Sequence, residues 1–134
     1  MVAAAGAILL LDQWTKRAVR PIASVDLPST TYIPRIRHLE NANRIYRNPS
    51  ARVAMVFVWL GAVASGIALR ESGMWFQHNT SLTGLGFALG GAAGNLIDIW
   101  RHQSVTDFID LGWWPVFNLA DVGIVGGLLL AFWP

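Results

Sequence analysis

The sequence predicts an all-α membrane protein of four transmembrane helices, with a small loop or β region between the first and second spans. Three observations carry that expectation. The chain of 134 residues is 54% hydrophobic and 13% charged, more apolar than an ordinary soluble domain. Its apolar residues gather in runs separated by polar connections. Between two of those runs, residues 90–121 place four carboxylates (Asp98, Asp107, Asp110, Asp121) and two asparagines (Asn95, Asn118), groups that are costly beside lipid and mark a functional site or a packing device.

The spans follow in order within a single domain, 1–134. Val2–Leu11 is continuously apolar, and the helical pattern extends it to 2–19, approaching the roughly 20 residues needed to cross a bilayer. A signal peptide is not expected there, because no basic region precedes the run and no convincing small-residue cleavage site precedes Asp12–Arg17. Residues 51–69 form the clearest span and end at Arg70 and Glu71. Residues 81–99 form the third, in which Gly86, Gly90 and Gly94 recur every four residues, a stripe that lets another helix backbone approach closely. No strand precedes these glycines and no lysine follows them, so a phosphate loop is not indicated. Residues 118–133 supply the fourth span.

Connections 20–50 and 100–117 differ in character. The first holds Pro21, Pro28, Pro34 and Pro49, too many for a helix, and is read as an exposed loop with an extended segment such as Thr31–Leu39. Eight of the ten Lys and Arg lie between Lys16 and Arg52, where they can attract anionic lipid headgroups. The second connection carries Trp113, Trp114 and Pro115, which suit an interfacial anchor. The absence of cysteine excludes disulfides and thiolate metal sites, and His38, His78 and His102 lack ligand spacing. No metal, no cofactor and no nucleic-acid partner is expected.

Antiparallel alternation places the end of span one, the start of two, the end of three and the start of four on one membrane face. Asp12, Lys16, Asn95, Asp98, Asp107, Asn118 and Asp121 then converge. Asp12 and Lys16 stand at i and i+4 with the acid first, the favourable order for a pair on one helix face, at a helix end where the lysine can snorkel. Asn95 and Asp98 are three residues apart, as are Asn118 and Asp121, so each asparagine is placed to orient a carboxylate. Asn118 also suits a helix cap. Converging carboxylates without a cysteine or serine nucleophile suit activation of water: two acids close together cannot both ionise cheaply, so one keeps a proton while the other acts as base, as in soluble aspartic proteases. Spacing alone does not choose Asp107 over Asp98 or Asp110, and the same cluster could serve packing in a non-catalytic, lipid- or peptide-binding four-helix protein. A proton-relaying transporter fits less well, because the polar groups gather at one face instead of lining a path.

The blocks Asp-Gln-Trp-Thr-Lys (12–16), Gly-Gly-Ala-Ala-Gly-Asn-Leu-Ile-Asp (90–98), Val-Thr-Asp-Phe (105–108) and Phe-Asn-Leu-Ala-Asp (117–121) resemble, in order, the signatures of lipoprotein signal peptidase, signal peptidase II. The resemblance spans nearly the whole chain. It implies an intramembrane aspartyl endopeptidase of the bacterial inner membrane that cuts prolipoproteins just before a diacylglyceryl-modified cysteine. On this resemblance the catalytic pair falls on Asp107 and Asp121, supported by Asn95, Asp98 and Asn118, with Asp12 and Lys16 chiefly structural. It also implies a monomer in contact with phospholipid, with 20–50, 100–117 and the active site outside the cytoplasm, although the basic first connection argues the opposite orientation by charge bias.

The chain departs from the family in two places. Ile99 stands where an arginine is usual, with Arg101 two positions later. Asn41-Ala42-Asn43-Arg44-Ile45-Tyr46 replaces a loop that in the family contains glycine and small apolar residues and lies over the active site. Asn41 and Arg44 are therefore candidates for substrate contact, and a member with altered specificity is the alternative to the ordinary activity.

Overall fold

In the computed structural model, which describes residues 1–21 and 35–133, four helices and two strands account for most of the chain. They are α1 (Val2–Val19), β1 (Arg35–Asn41), a one-turn 3-10 helix (Arg44–Arg47), α2 (Pro49–Glu71), α3 (Asn79–His102), β2 (Val105–Asp110) and α4 (Leu119–Ala131). Helix α2 starts where its residues dictate. Asn48 caps it by accepting the Ser50 N–H at 3.0 Å, and Pro49, which has no N–H to satisfy, takes the first turn. Helix α3 stops at Gln103, whose left-handed backbone (φ 57°) turns its N–H back to the Ile99 carbonyl.

Helix α3 is the centre of the bundle, and small residues set its spacing. A Cβ on Gly90 would collide with the Ala5 carbonyl of α1 and the Ile8 side chain, so that face meets the first helix backbone to backbone. Towards α4, Gly84 and Gly127 face each other so closely that a Cβ on either would lie 2.5 Å from the other's carbonyl oxygen. Helix α2 stands outside this trio, tied by the Trp59 indole N–H donating to the Leu89 carbonyl at 2.9 Å. It leaves Phe57 and Val58 facing outward.

Among the described helices, α2 and α3 are long and apolar enough to cross a membrane. Only 6% of the apolar window of α2 is buried in the protein, against 50% for α3, so α2 presents the larger apolar surface to its surroundings. Helix α1 carries Asp12, Lys16 and Arg17 within its 18 residues. Helix α4 has 13 residues, about 20 Å of helix, short of the roughly 30 Å hydrocarbon core.

The β region differs from the expectation of a sheet confined to the first connection. Strand β1 pairs antiparallel with β2, which lies in 100–117, a stretch read from sequence as loop. Leu39 faces Asp107 and Asn41 faces Val105, with the register shifting between Ile36 and Leu39. Strand β2 escapes sequence reading because nearly every residue in Val105–Asp110 is buried, so no in-out alternation marks it. Thr31–Pro34 of the expected extended segment lie outside the described residues.

Candidate active site

Two acids separated by thirteen residues, Asp107 and Asp121, are brought together by a return of the chain after β2. Asp110 Oδ1 accepts the Gly112 N–H at 2.8 Å, and Gly112 takes a positive φ of 81°, which glycine adopts without strain. Phe117 then pairs back with Ile109, N–H to carbonyl at 3.1 Å and the reverse at 2.8 Å. The next residue, Asn118, is thereby set beside Asp107 and opens α4. Its side-chain oxygen accepts the Asp121 N–H at 3.0 Å, while Asp121 Oδ2 accepts the Asn118 N–H at 3.0 Å, a complete capping box.

Asn118 does a second job. Its Nδ2 donates to Asp107 Oδ1 at 2.8 Å and to Asn95 Oδ1 at 3.1 Å. Asn95 in turn donates from Nδ2 to Asp121 Oδ1 at 2.8 Å. The orientation of the Asn95 amide is set by Lys16, whose Nζ donates to Oδ1 at 2.9 Å and leaves the NH2 end for Asp121. Two asparagines thus brace two carboxylates. Among the described residues neither Asp107 nor Asp121 has an ion-pair partner, so their charges meet each other's field. Asp107 is 5% exposed, and its pKa is raised to about 6, first by burial and then by the negative charge of Asp121, against the hydrogen bonds from Asn118 and Asn41.

Below this pair lies a buried ladder of alternating charge. Lys16 Nζ sits 2.8 Å from Asp12 Oδ2 and 2.9 Å from Asp98 Oδ2, and Arg20 Nη2 lies 3.3 Å from Asp98 Oδ1. Asp12 and Asp98 are 0% exposed and Lys16 is 1% exposed. Burying such ions is tolerable only because each is paired and hydrogen-bonded. The remaining Asp12 oxygen accepts the backbone N–H of Ala120 at 2.9 Å. The ladder therefore fixes α1 against the opening of α4, where Asp121 sits.

The geometry changes several roles expected from sequence. Lys16 does not snorkel; it is inside. Asn95 does not orient Asp98 within α3 but reaches across to Asp121, and Asn118 serves Asp107 as well as its own helix. Asn41 touches the site only through a long 3.5 Å contact from Nδ2 to Asp107 Oδ2. Arg44 is exposed at the start of the 3-10 helix, and the nearby acid Glu40 accepts from Ser104 Oγ at 3.2 Å and lies 3.7 Å from His38. Asp110 holds its own turn.

Sequence reasoning missed Arg20, Thr106 and Gln13. Arg20 donates from Nε to Thr106 Oγ1 at 3.2 Å, and Gln13 Nε2 spans the Gly94 carbonyl and Asp98. A signal was present for Arg20, since Asp12, Lys16 and Arg20 repeat at four-residue intervals along one helix face. Among the described residues no cluster of three or more His, Asp or Glu is placed to hold a metal.

Two hollows reach this centre. One of about 310 Å³ runs along α4 from Trp114 and Phe117 past Asp121 to Leu129. The other, of about 530 Å³, is an apolar groove between α2 and α3 that has Ile45 at its mouth and Asn95 in its wall.

Residues 4–134 match the family model of signal peptidase (SPase) II, and the chain belongs to that family. It is 41% identical over 98 residues to the lipoprotein signal peptidase of Rhodococcus jostii, covering 65% of this chain and 50% of that protein. It is 36% identical over 100 residues to that of Mycobacterium avium, covering 64% and 53%. Against that of Syntrophomonas wolfei it is 67% identical over 46 residues, covering 34% of this chain and 31% of that protein. The chain thus spans about half the length, or less, of these curated relatives. A bacterial membrane enzyme solved by the in meso method shares the fold with a TM-score of 0.69 at 23% identity, covering 96% of this chain and 87% of that one. A second such structure gives 0.68 at 24% identity, covering 96% and 82%.

Proposed function

We propose that this chain is an intramembrane aspartyl endopeptidase that removes the signal peptide of prolipoproteins on the N-terminal side of a diacylglyceryl-cysteine. The observation that carries the proposal is the pairing of Asp107 and Asp121 across two asparagines, with each acid hydrogen-bonded by an amide and neither, among the described residues, ion-paired to a cation. Membership in the signal peptidase II family supplies the reaction class.

Asp121, with both oxygens held by N–H donors, is the base. Asp107, whose raised pKa lets it carry the shared proton, is the acid. Water between them gives one proton to Asp121 as its oxygen bonds to the scissile carbonyl carbon, and Asp107 passes its proton to the carbonyl oxygen. The resulting gem-diol collapses when a hydroxyl proton returns to Asp107 and Asp121 protonates the amide nitrogen. The C–N bond then breaks, and the dyad is left with one proton as before. The hollow along α4 takes the peptide, and the groove between α2 and α3 has the apolar lining for acyl chains.

Four membrane passages are part of the same proposal. Helix α1 crosses with its ion ladder turned inward against α3, and α4 crosses with neighbouring residues beyond its regular turns. The dyad then lies at the extracytoplasmic face of the inner membrane, and the chain acts as a monomer. The test is cleavage by the purified chain in detergent or vesicles of a precursor peptide with and without its diacylglyceryl group. Release of a new N-terminal lipid-cysteine from the lipidated peptide alone is expected, and equal cleavage of both peptides, or of neither, contradicts the assignment.

A further inference from the structure

A third hollow, of about 560 Å³, lies on the outside of the bundle between α1 and α3, on a different wall from the two that reach the dyad. Its lower part is apolar, built from Leu9, Leu10 and Ile97, and Trp14 stands beside it, 68% exposed. Its upper end is lined by Arg17 and Arg101. Both arginines sit in the last turn of their helices and are exposed, and among the described residues neither has an ion pair or hydrogen bond. From Leu9 to Arg17 the helix rises about 12 Å, so the apolar trough runs inward from a membrane surface and ends in two positive charges at that surface.

Two ordinary explanations of such arginines account for part of this. A cation at a helix C-terminus complements the helix dipole, and an arginine near a span end snorkels to the interface. Neither explains why two cations from different helices line one end of the same hollow while Lys16 and Arg20, close by in sequence to Arg17, are turned into contacts within the protein. Guanidinium groups bind phosphate in a forked geometry, and weak hydration makes the pair a better receiver of a phosphodiester than of a zwitterionic headgroup that brings its own cation. The apolar trough below has the direction an acyl chain takes from that headgroup, and Trp14 has the place of an aromatic residue at glycerol depth.

We propose that the α1–α3 groove is a binding site for an anionic phospholipid, with its phosphate between Arg17 and Arg101 and one acyl chain along Leu9, Leu10 and Ile97. This rests on the membrane placement given above but not on the peptidase chemistry. The lipid bound here is a companion of the protein and not its substrate, because Asp107 and Asp121 do not line the groove, and none of its lining residues lines the hollow that carries Asn95.

The full chain, reconstituted in phosphatidylcholine vesicles, is titrated with spin-labelled phosphatidylglycerol and, separately, with phosphatidylcholine labelled on the same chain position, and the motionally restricted fraction is read by electron paramagnetic resonance. Wild type is expected to hold phosphatidylglycerol about tenfold more tightly than phosphatidylcholine, the effect of two nearby cations on one anionic headgroup. R17Q/R101Q should bring the two lipids to within about twofold, while R17K/R101K should keep most of the preference. R70Q, at the other end of the bundle, should keep all of it. Inorganic phosphate at millimolar concentration should not compete, since it has no chain for the trough. Equal retention of both lipids by wild type, an undiminished preference in R17Q/R101Q, or displacement by inorganic phosphate overturns the site. Because both arginines are exposed the double variant should fold; should it fail to insert, Ile97→Trp, which fills the trough, must lower phosphatidylglycerol retention or the proposal fails. Failure of the wild-type chain to insert would instead contradict the membrane placement, and loss of cleavage alone would leave the lipid result standing.

Discussion

Asp12 of α1 accepts the backbone N–H of Ala120, 108 residues later, at 2.9 Å, and holds Lys16 at 2.8 Å with its other oxygen. One buried carboxylate therefore caps a helix from outside and neutralises a lysine inside the bundle. Asp12→Ala removes both and leaves Asp98 as the one carboxylate beside Lys16, a loss of about 3–5 kcal/mol for breaking a buried pair. Asp12→Asn keeps an acceptor for Ala120 and should lose less. Thermal unfolding in detergent should rank wild type above Asp12→Asn and that above Asp12→Ala. Equal midpoints for all three would show that the ladder does not hold α1 to α4.

Asp107 should weaken the fold that it serves. Its pKa is raised from 3.8 to about 6, so the folded chain binds a proton that the unfolded chain releases in that interval. The stability given by the protonated form is fully present below about pH 4 and lost as pH rises through about 6, worth roughly 1–3 kcal/mol. Asp107→Asn, neutral throughout and still able to accept from Asn118, should be more stable than wild type at pH 7, with the difference vanishing near pH 4. Denaturation midpoints of both proteins across pH 4–8 check this. A destabilised variant at pH 7 would contradict the cause assigned to the shift.

Arg44 lies exposed at the entry to the 3-10 helix, where Asn43 caps the turn by accepting the Ile45 N–H at 3.1 Å. The strand end at Asn41, whose side chain touches Asp107, is three residues away. A cation there suits a headgroup or a polar part of the substrate and not the bond being cut. Arg44→Ala should raise KM on a lipidated precursor with kcat nearly unchanged, as for an interaction equal in ground and transition states. A fall in kcat with KM unaltered would place Arg44 in the reaction itself.

Orientation sets charge bias against family resemblance. Single cysteines at Ala42, beside the site, and at Ser72, after α2, report on opposite ends of the bundle. An impermeant thiol reagent added outside cells should label position 42 and spare position 72. The reverse pattern would put the dyad on the cytoplasmic side.

Much of this architecture was legible because lipid-compatible helices declare themselves by composition. The four segments 2–19, 51–69, 81–99 and 118–133 appear as helices Val2–Val19, Pro49–Glu71, Asn79–His102 and Leu119–Ala131, of which the second and third are long and apolar enough to cross a membrane. The helix ends moved where caps decide them, as at Asn48 and Asn118. The glycine stripe announced close packing but could not say that α1 takes one face of α3 and α4 another. The pairing of β1 with β2 was hidden, because it joins residues more than sixty apart and both faces of β2 are buried. The acids and amides were visible individually, whereas their partners were not: Asn95 looked poised for Asp98 by helix spacing, and only the approach of α4 gives it to Asp121. Arg20 lies one step beyond the last residue of α1, and the proline that follows it gives it the sequence signature of a loop residue.

The central claim is that Asp107 and Asp121 act as one water-activating pair. Cleavage of a lipidated precursor by purified wild type, Asp107→Asn, Asp121→Asn and Asp110→Asn, each checked for helical content, tests it directly. Both dyad variants should lose activity by at least about 10³-fold, the scale for groups that act as a unit, while Asp110→Asn, which leaves both dyad carboxylates in place, should stay within about tenfold of wild type. Wild-type turnover by either dyad variant in a folded state would contradict the account.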